Sequence, residues 1–450
     1  MYYPYIQYVL EAVLLLRRKQ KREQEKGRNY FFEFIKIQRH FFNEFTSKLK
    51  RVKDPRARGY ITYSPEVLLF TVLTKNIANL KSMRSLSSNL NKDECIENIG
   101  KILGIEKLEE LPHYDTINDF LSGLSTDELE HIRTYMIKEL LKKRCFENYR
   151  IEGKYWGVIF DGTGLFSFDK KHCEHCLKRE HKDKETGEVT TVYMHHVLEA
   201  KLVVGDMVLS IGSEFIENES EDVTKQDCEL KAFYRLAEKI KRVYKRLPIC
   251  MLADSLYACE PVFKVCDGNH WQYLMRFKEG RIRSVAAEFR AIADIEQRKE
   301  GEQLYWANDI AYNERSVHLL ELNLEIEEGK TQQYLWITSI KITKRNAQRL
   351  ADVGRSRWKI ENEGFNNQKN IRYHIEHASS HNYNAMKNHY LLTQIADILM
   401  QLYENGVGLL KDLKKTAKEI SSNLLEAIRT RTLTDEDISR LAKPIQVRFT

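Results

Sequence analysis

Trp156-Gly157-Val158-Ile159-Phe160-Asp161 is an apolar run that ends on a carboxylate, and Ile249-Cys250-Met251-Leu252-Ala253-Asp254 repeats the pattern. Short continuous apolar runs bounded by polar residues read as buried strands, so both aspartates are expected at the C-terminal tips of strands. A third acid, Glu361, closes the run Arg357-Trp358-Lys359-Ile360-Glu361, which opens a helical stretch reaching Lys369. Two strand-end aspartates and one helical glutamate supply the oxygen ligands that a pair of Mg2+ (or Mn2+) ions takes, with positions left for water and phosphate oxygens.

Each acid also has a purely structural reading. Asp161 before Gly162 suits a turn, Asp254 before Ser255 suits a helix cap, and Arg357 with Glu361 four positions on suits a surface ion pair. Their joint placement at strand ends and on a helix favours the metal site.

The surrounding pattern fills in the elements. Residues 64–150 read as helical, starting at Ser64-Pro65-Glu66, a cap with Pro at the first helical position. From Tyr155 the period changes to two. Residues 189–203 and 207–215 form a hairpin across Val204-Gly205-Asp206, and residues 224–245 a helix feeding the strand at 249–253. Strand-like runs at 273–277, 303–312, 317–325 and 333–340 then separate Asp254 from Arg357, a span too long for one connection. This order is that of an α/β protein: a ribonuclease-H-like core over 151–278 and 344–400, preceded by a basic helical arm (1–60) and an all-helical DNA-binding domain (61–150) expected to recognise end sequences, and followed by a helical tail (401–450).

Arg-Trp-x-Ile-Glu after two strand-end aspartates resembles the DDE transposases of bacterial insertion sequences, specifically the insertion-sequence-four family with its signature Tyr-x2-Arg-x3-Glu-x6-Lys. Asp161-Gly162-Thr163-Gly164, Lys225-Gln226-Asp227-Cys228-Glu229, Asp254-Ser255-Leu256-Tyr257 and Pro112-His113-Tyr114-Asp115-Thr116 are similar to the family's text, so the resemblance spans about residues 60–400. Gly354 stands where the signature has Tyr, and Gln368 where it has Lys, with Lys369 one step later. The resemblance implies Asp161, Asp254 and Glu361 as the catalytic metal ligands, a β-rich insertion at about 279–343, and double-stranded DNA as partner: the element's terminal inverted repeats and target DNA, bound by a homodimer. It also implies an aromatic side chain that stacks on a flipped base. Trp336, inside the apolar run Tyr334-Leu335-Trp336-Ile337, reads as core, which leaves Trp306 as the better stacking residue, with Trp358 beside Arg357 grouped among the DNA contacts.

At about 100° per residue, Arg357 projects about 40° from Glu361, Gln368 about 20°, Lys369 about 80° and Arg372 about 20°. Arg357 therefore reads as a phosphate clamp, and Lys369 or Arg372 as further phosphate contacts. A second constellation, His172-Cys173-Glu174-His175-Cys176, has zinc-ligand spacing, with His181 and Cys228 to complete a structural Zn2+ site; two reduced cysteines in a metal-free loop are the alternative. Of His195 and His196, successive on a strand, one faces the core.

Composition narrows the class only weakly. Lys+Arg 72 against Asp+Glu 65 gives a net charge of +7, a mild excess that suits a polyanionic partner, and Arg17-Arg18-Lys19-Gln20-Lys21-Arg22 concentrates part of it. Eight irregularly spaced cysteines fit a reducing cytoplasm better than a disulfide scaffold, and the resemblance implies a bacterial one with the protein at the nucleoid. The apolar stretch at 8–16 is too short to span a bilayer, so no membrane partner is expected. Two other functions remain open at this point: a transposase-derived DNA-binding protein without catalysis, and a stand-alone metal-dependent nuclease.

Overall fold

The computed structural model describes residues 23, 27–57, 59, 61–219, 225–292, 294–299, 302–327, 330–407, 410, 415–447 and 449. The basic run at 17–22 and the expected helix start at Thr224 lie outside them. The chain divides into two compact units, Met1–Phe120 with Leu399–Thr450, and Leu121–Ile398.

In the first unit the described elements are helices. Asn29 caps α1 (Tyr30–Phe41) by accepting from the Phe32 N–H at 3.1 Å, and its aromatic face, Phe31, Phe34 and Phe41, is buried. A short α2 (Phe45–Lys50) leads to α3 (Pro65–Ile77), which starts on Ser64 and Pro65 and is buried along nearly its whole length. Ser82 and Ser85 form a capping box for α4 (Met83–Leu90), and α5 (Asp93–Leu103) stops at Gly104 with φ 66°, the left-handed C-cap that glycine permits. Two C-terminal helices, α13 (Ala417–Thr430) and α14 (Asp435–Leu441), start with capping boxes at Thr416/Glu419 and Thr434/Asp437. Asn98 of α5 ties down the end of α13 by donating to the Ile428 carbonyl at 3.1 Å.

After α6 (Tyr114–Gly123) and α7 (Thr126–Lys142), the second unit is organised by one ten-stranded sheet. Its strands are β1 (Trp156–Phe168), β2 (Leu177–Lys182), β3 (Val189–Val204), β4 (Met207–Ile216), β5 (Ile249–Ala253), β6 (Gln272–Arg276), β7 (Asp294–Lys299), β8 (Glu302–Tyr312), β9 (Arg315–Glu327) and β10 (Lys330–Thr338). Their order is β2-β3-β1-β5-β6-β10-β9-β8-β7, with β4 also on β3. The β1–β5 and β5–β6 pairs are parallel, and the remaining pairs are antiparallel. The mixed α/β class agrees with the sequence. The stretch expected as a β-rich insertion holds β7–β10, and since β10 pairs with β6 these strands extend the same sheet.

Helices cover both faces of the sheet. On one, α8 (Glu229–Tyr244) packs so closely on β4 that a Cβ at Gly212 would lie 2.9 Å from Leu236. On the other, Ile159, Leu252, Leu274, Trp306, Leu320 and Trp336 form a core with Leu350 of α11 (Ala347–Arg355) and Ile360 and Phe365 of a following helix. Every residue of β5 is buried, which explains why its sequence is a continuous apolar run rather than an alternation.

Two expectations change here. Asp161 lies within β1, not at its tip: β1 stops pairing with β5 at Ile159 but continues beside β3 to Phe168, through a bulge between Gly164 and Phe166. The helix carrying Glu361 is a π-helix, Ile360–Ile371, closed by the Arg372 N–H donating to the Asn367 carbonyl at 2.8 Å. Its i→i+5 bonds wind the chain differently from the α-helix assumed above, so the projected angles do not hold.

Candidate active site

Parallel pairing of β1 and β5 runs from Trp156 against Ile249 to Ile159 against Leu252, so two residues further along both strands Asp161 and Asp254 come side by side. Each uses one oxygen to hold local backbone: Asp161 Oδ1 accepts from the Gly162 N–H at 3.1 Å, and Asp254 Oδ1 from the Leu256 N–H at 2.8 Å. Asp254 thus caps a local turn, whereas Asp161 stays in the strand with its second oxygen turned to Arg357.

Arg357, on the 3-10 turn Ser356–Trp358 between α11 and the π-helix, joins the third acid to the first. Its guanidinium donates to Asp161 Oδ2 at 3.2 Å and to Glu361 Oε1 at 2.7 Å. The Glu361 side chain is half exposed and that of Asp161 largely buried. Burial pushes the Asp161 carboxyl up to about 7; Arg357 opposes this, while the like charges of Glu229, Glu361 and Asp254 add to it. Among the described residues, the acids do not form a trio with oxygens all within 4.8 Å of one another.

Glu229 is a fourth acid that the sequence reading quoted but gave no role. It opens α8 and reaches over Gly162, where an added Cβ would meet Glu229 Oε2 at 2.7 Å. Gly162 thus gives the Glu229 carboxylate room to approach the strand. Glu229 Oε1 accepts from the hydroxyl of the fully buried Tyr257 at 2.6 Å. Burial raises the Glu229 carboxyl; the Tyr257 bond opposes this, and the Asp254 charge adds to it. The only sequence signal was an acid in a helix's first turn, which dipole capping explains equally well.

Beside the acids, Arg276, Tyr334, Trp336, Gly354, Arg355, Arg357 and Trp358 line a pocket. Tyr334 and Trp336, two apart on β10, stack at 5.8 Å and 8°. Arg276 lies over both rings, at 4.9 and 5.7 Å, and Arg355 over Tyr334 at 5.6 Å. Gly354 makes room for this stack: a Cβ there would sit 2.5 Å from Trp336 Nε1, so the signature's tyrosine has no space.

Other expected DNA contacts lie elsewhere. Trp306 is buried in the core with Leu304 and Leu320, which removes it from base stacking, whereas Trp358 is 49% exposed at the pocket. Lys369 pairs with Glu376 at 2.8 Å, and Arg372 is buried, so it offers no guanidinium to solvent. Gln368, projected near Glu361, is instead fully buried, donating to Gln394 at 3.0 Å and Asp397 at 2.8 Å, because the π-helix turns it inward.

The expected zinc ligands are also revised. Cys173, Cys176 and His195 come together, while His181 points to solvent from β2 and Cys228 is exposed at the cap of α8. Burial lowers His195 to about 4 and raises Cys173 to about 11.

Residues 219–398 match the family model described as the transposase DDE domain. The match takes in Glu229, Asp254, Arg357 and Glu361 and leaves Asp161 before its start. The chain is thus similar to DDE transposases over this segment. No curated protein matches it. Among solved structures, the piggyBac transposase synaptic complex with hairpin DNA, determined by cryo-EM, is similar at 10% identity and TM-score 0.45, over 93% of this chain and 84% of that one.

Proposed function

We propose that the protein is a DNA transposase that binds the ends of its own element and cuts and joins DNA with divalent metal ions. The observation that carries this reading is Arg357 spanning Asp161 and Glu361, beside Asp254 on the neighbouring parallel strand, with Asp254, Arg357 and Glu361 inside the segment that matches the transposase DDE domain and Asp161 upstream of it. The strand order β4-β3-β1-β5-β6, antiparallel then parallel, with α8 between β4 and β5, supports a ribonuclease-H-like core.

The donor set fits Mg2+ or Mn2+: carboxylate oxygens only, crowded enough that burial and mutual repulsion hold the Asp161 carboxyl high until a cation relieves them. Asp161, Asp254 and Glu361 would hold the ions. When bound, such ions activate the attacking oxygen and stabilise the leaving one. Arg357, Arg355 and Arg276 surround the pocket beside the acids, where planar guanidinium groups suit phosphate oxygens. Glu229, fixed by Tyr257, raises the negative potential at Asp161 and Asp254 and holds them as the cation-binding wall. Trp358 presents an exposed indole at the pocket rim for a base or sugar face.

The experiment is to incubate the protein with duplexes carrying the genomic ends that flank its gene, with Mg2+, and to map nicks and joined strands. Transposition gives nicks at the ends and strand-transfer products. Nicks without joining identify a stand-alone nuclease, and binding without nicking a DNA-binding protein derived from a transposase; either contradicts the reading.

A further inference from the structure

The loop 169–176 leaves β1 after Phe168 and carries Cys173 and Cys176 back against β3 at His195. Cys173 Sγ and Cys176 Sγ lie 3.8 Å apart, and each lies 3.5 Å from His195 Nε2. For a tetrahedral Zn2+ with Zn–S about 2.3 Å and Zn–N about 2.0 Å, the ligand-to-ligand edges come to about 3.8 Å for S···S and about 3.5 Å for S···N. All three separations match these edges. They are too long for a disulfide, whose sulfurs sit about 2.05 Å apart.

The surroundings hold the three ligands in place. His195 is fully buried on β3, opposite Phe166 at the bulge, and Tyr383 stacks on its ring at 4.4 Å and 25°. Its Nδ1 has no hydrogen-bond partner among the described residues. The turn is tied by the Cys176 N–H donating to the Cys173 carbonyl at 3.4 Å and by the Cys173 N–H donating to Cys176 Sγ at 3.4 Å. Asn218 clamps it from outside, donating to the Cys176 carbonyl at 2.9 Å. Orienting a buried imidazole onto two sulfurs is well explained by a shared ligand.

We propose that Cys173, Cys176 and His195 bind one Zn2+ ion, with water in the fourth position, and that the ion staples the loop after β1 onto β3. The site is separate from the carboxylates and does not depend on the reading of the chain as a transposase. Because the ligands come from a loop and a strand that only the folded chain brings together, metal binding stabilises the fold.

The test uses the full-length protein purified without added metal. Elemental analysis is expected to give about one zinc per chain, and exchange to Co2+ to give thiolate charge-transfer bands with the strong visible bands of a tetrahedral site. Cys176→Ser and His195→Ala should lower bound zinc at least tenfold, whereas His181→Ala and Cys228→Ser should leave it unchanged. Should the buried variants fail to fold, Cys173→Ser, at a partly exposed position, gives the same readout. Wild-type protein without zinc and without the cobalt spectrum, or with Cys173 and Cys176 recovered as a disulfide, overturns the proposal. So does loss of zinc on changing His181 or Cys228.

Discussion

At the scale of single residues, the site is a balance between four carboxylates and one guanidinium. Arg357 neutralises Asp161 and Glu361, and Asp254 and Glu229 add charge that Arg357 does not contact by hydrogen bond. Glu229→Gln keeps the shape and the Tyr257 contact but removes one charge from this wall. It is expected to lower Mg2+-dependent nicking by roughly 10- to 100-fold, the range for groups that support metal ligands, without changing DNA affinity. Nicking and filter-binding measured on the same preparation check this; unchanged nicking assigns Glu229 to capping α8 alone. Asp161 and Asp254 stand out in the sequence because each follows an apolar run, and Glu361 because it closes the Arg-Trp-x-Ile-Glu pattern. Glu229 was not, because an acid at a helix start has an ordinary reason to be there. His195 was not chosen as a zinc ligand because only the bulge and the folded-back loop bring it to Cys173 and Cys176, a contact that spacing along the chain does not contain.

At the scale of elements, burial decides what sequence pattern reveals. The wholly buried β5 was legible to the residue, Ile249–Ala253. The strands at the two ends of the sheet path, β2 and β7, are not evident in the sequence; β2 is Leu-Lys-Arg-Glu-His-Lys, and charges of this kind protect a sheet edge from further pairing. The π-helix was also illegible, since a period of 3.6 was assumed where i→i+5 bonds form. Two elements carry stability tests. Gly354→Ala forces a Cβ into the Trp336 indole beneath α11 and is expected to cost about 1–3 kcal/mol by overpacking, read as a lower urea midpoint. Arg133 of α7 is buried, donating to Ser210 at 2.8 Å and Ser213 at 2.5 Å of β4 and pairing with Glu130, while both serines donate to the buried Glu199 of β3. Arg133→Met leaves two acids without that cation and is expected to cost about 3–5 kcal/mol. A loss below about 1 kcal/mol contradicts the account of that network.

At the scale of the whole molecule, division of labour between binding and chemistry is the open question. We propose that the helical block at 64–150 reads the element's ends and the sheet unit cleaves, with the basic run at 17–22 adding affinity for any DNA. Replacing Arg17, Arg18, Lys19, Lys21 and Arg22 with Ser is expected to weaken binding to specific and random duplexes alike. It should flatten the slope of log affinity against log salt by up to about 4–5, near 0.9 per lost phosphate contact. A selective loss for the element's ends would place recognition in the run itself. No described helix is long and apolar enough to cross a membrane. The account rests above all on the two aspartates beyond the β1–β5 pairing and the glutamate of the π-helix, and one measurement tests them most directly: Mg2+-dependent nicking of an element-end duplex by the wild-type protein and by Asp161→Asn, Asp254→Asn and Glu361→Gln, each checked for retained DNA binding. The prediction is cleavage by the wild type and none above background by any of the three; wild-type nicking by any one variant contradicts it.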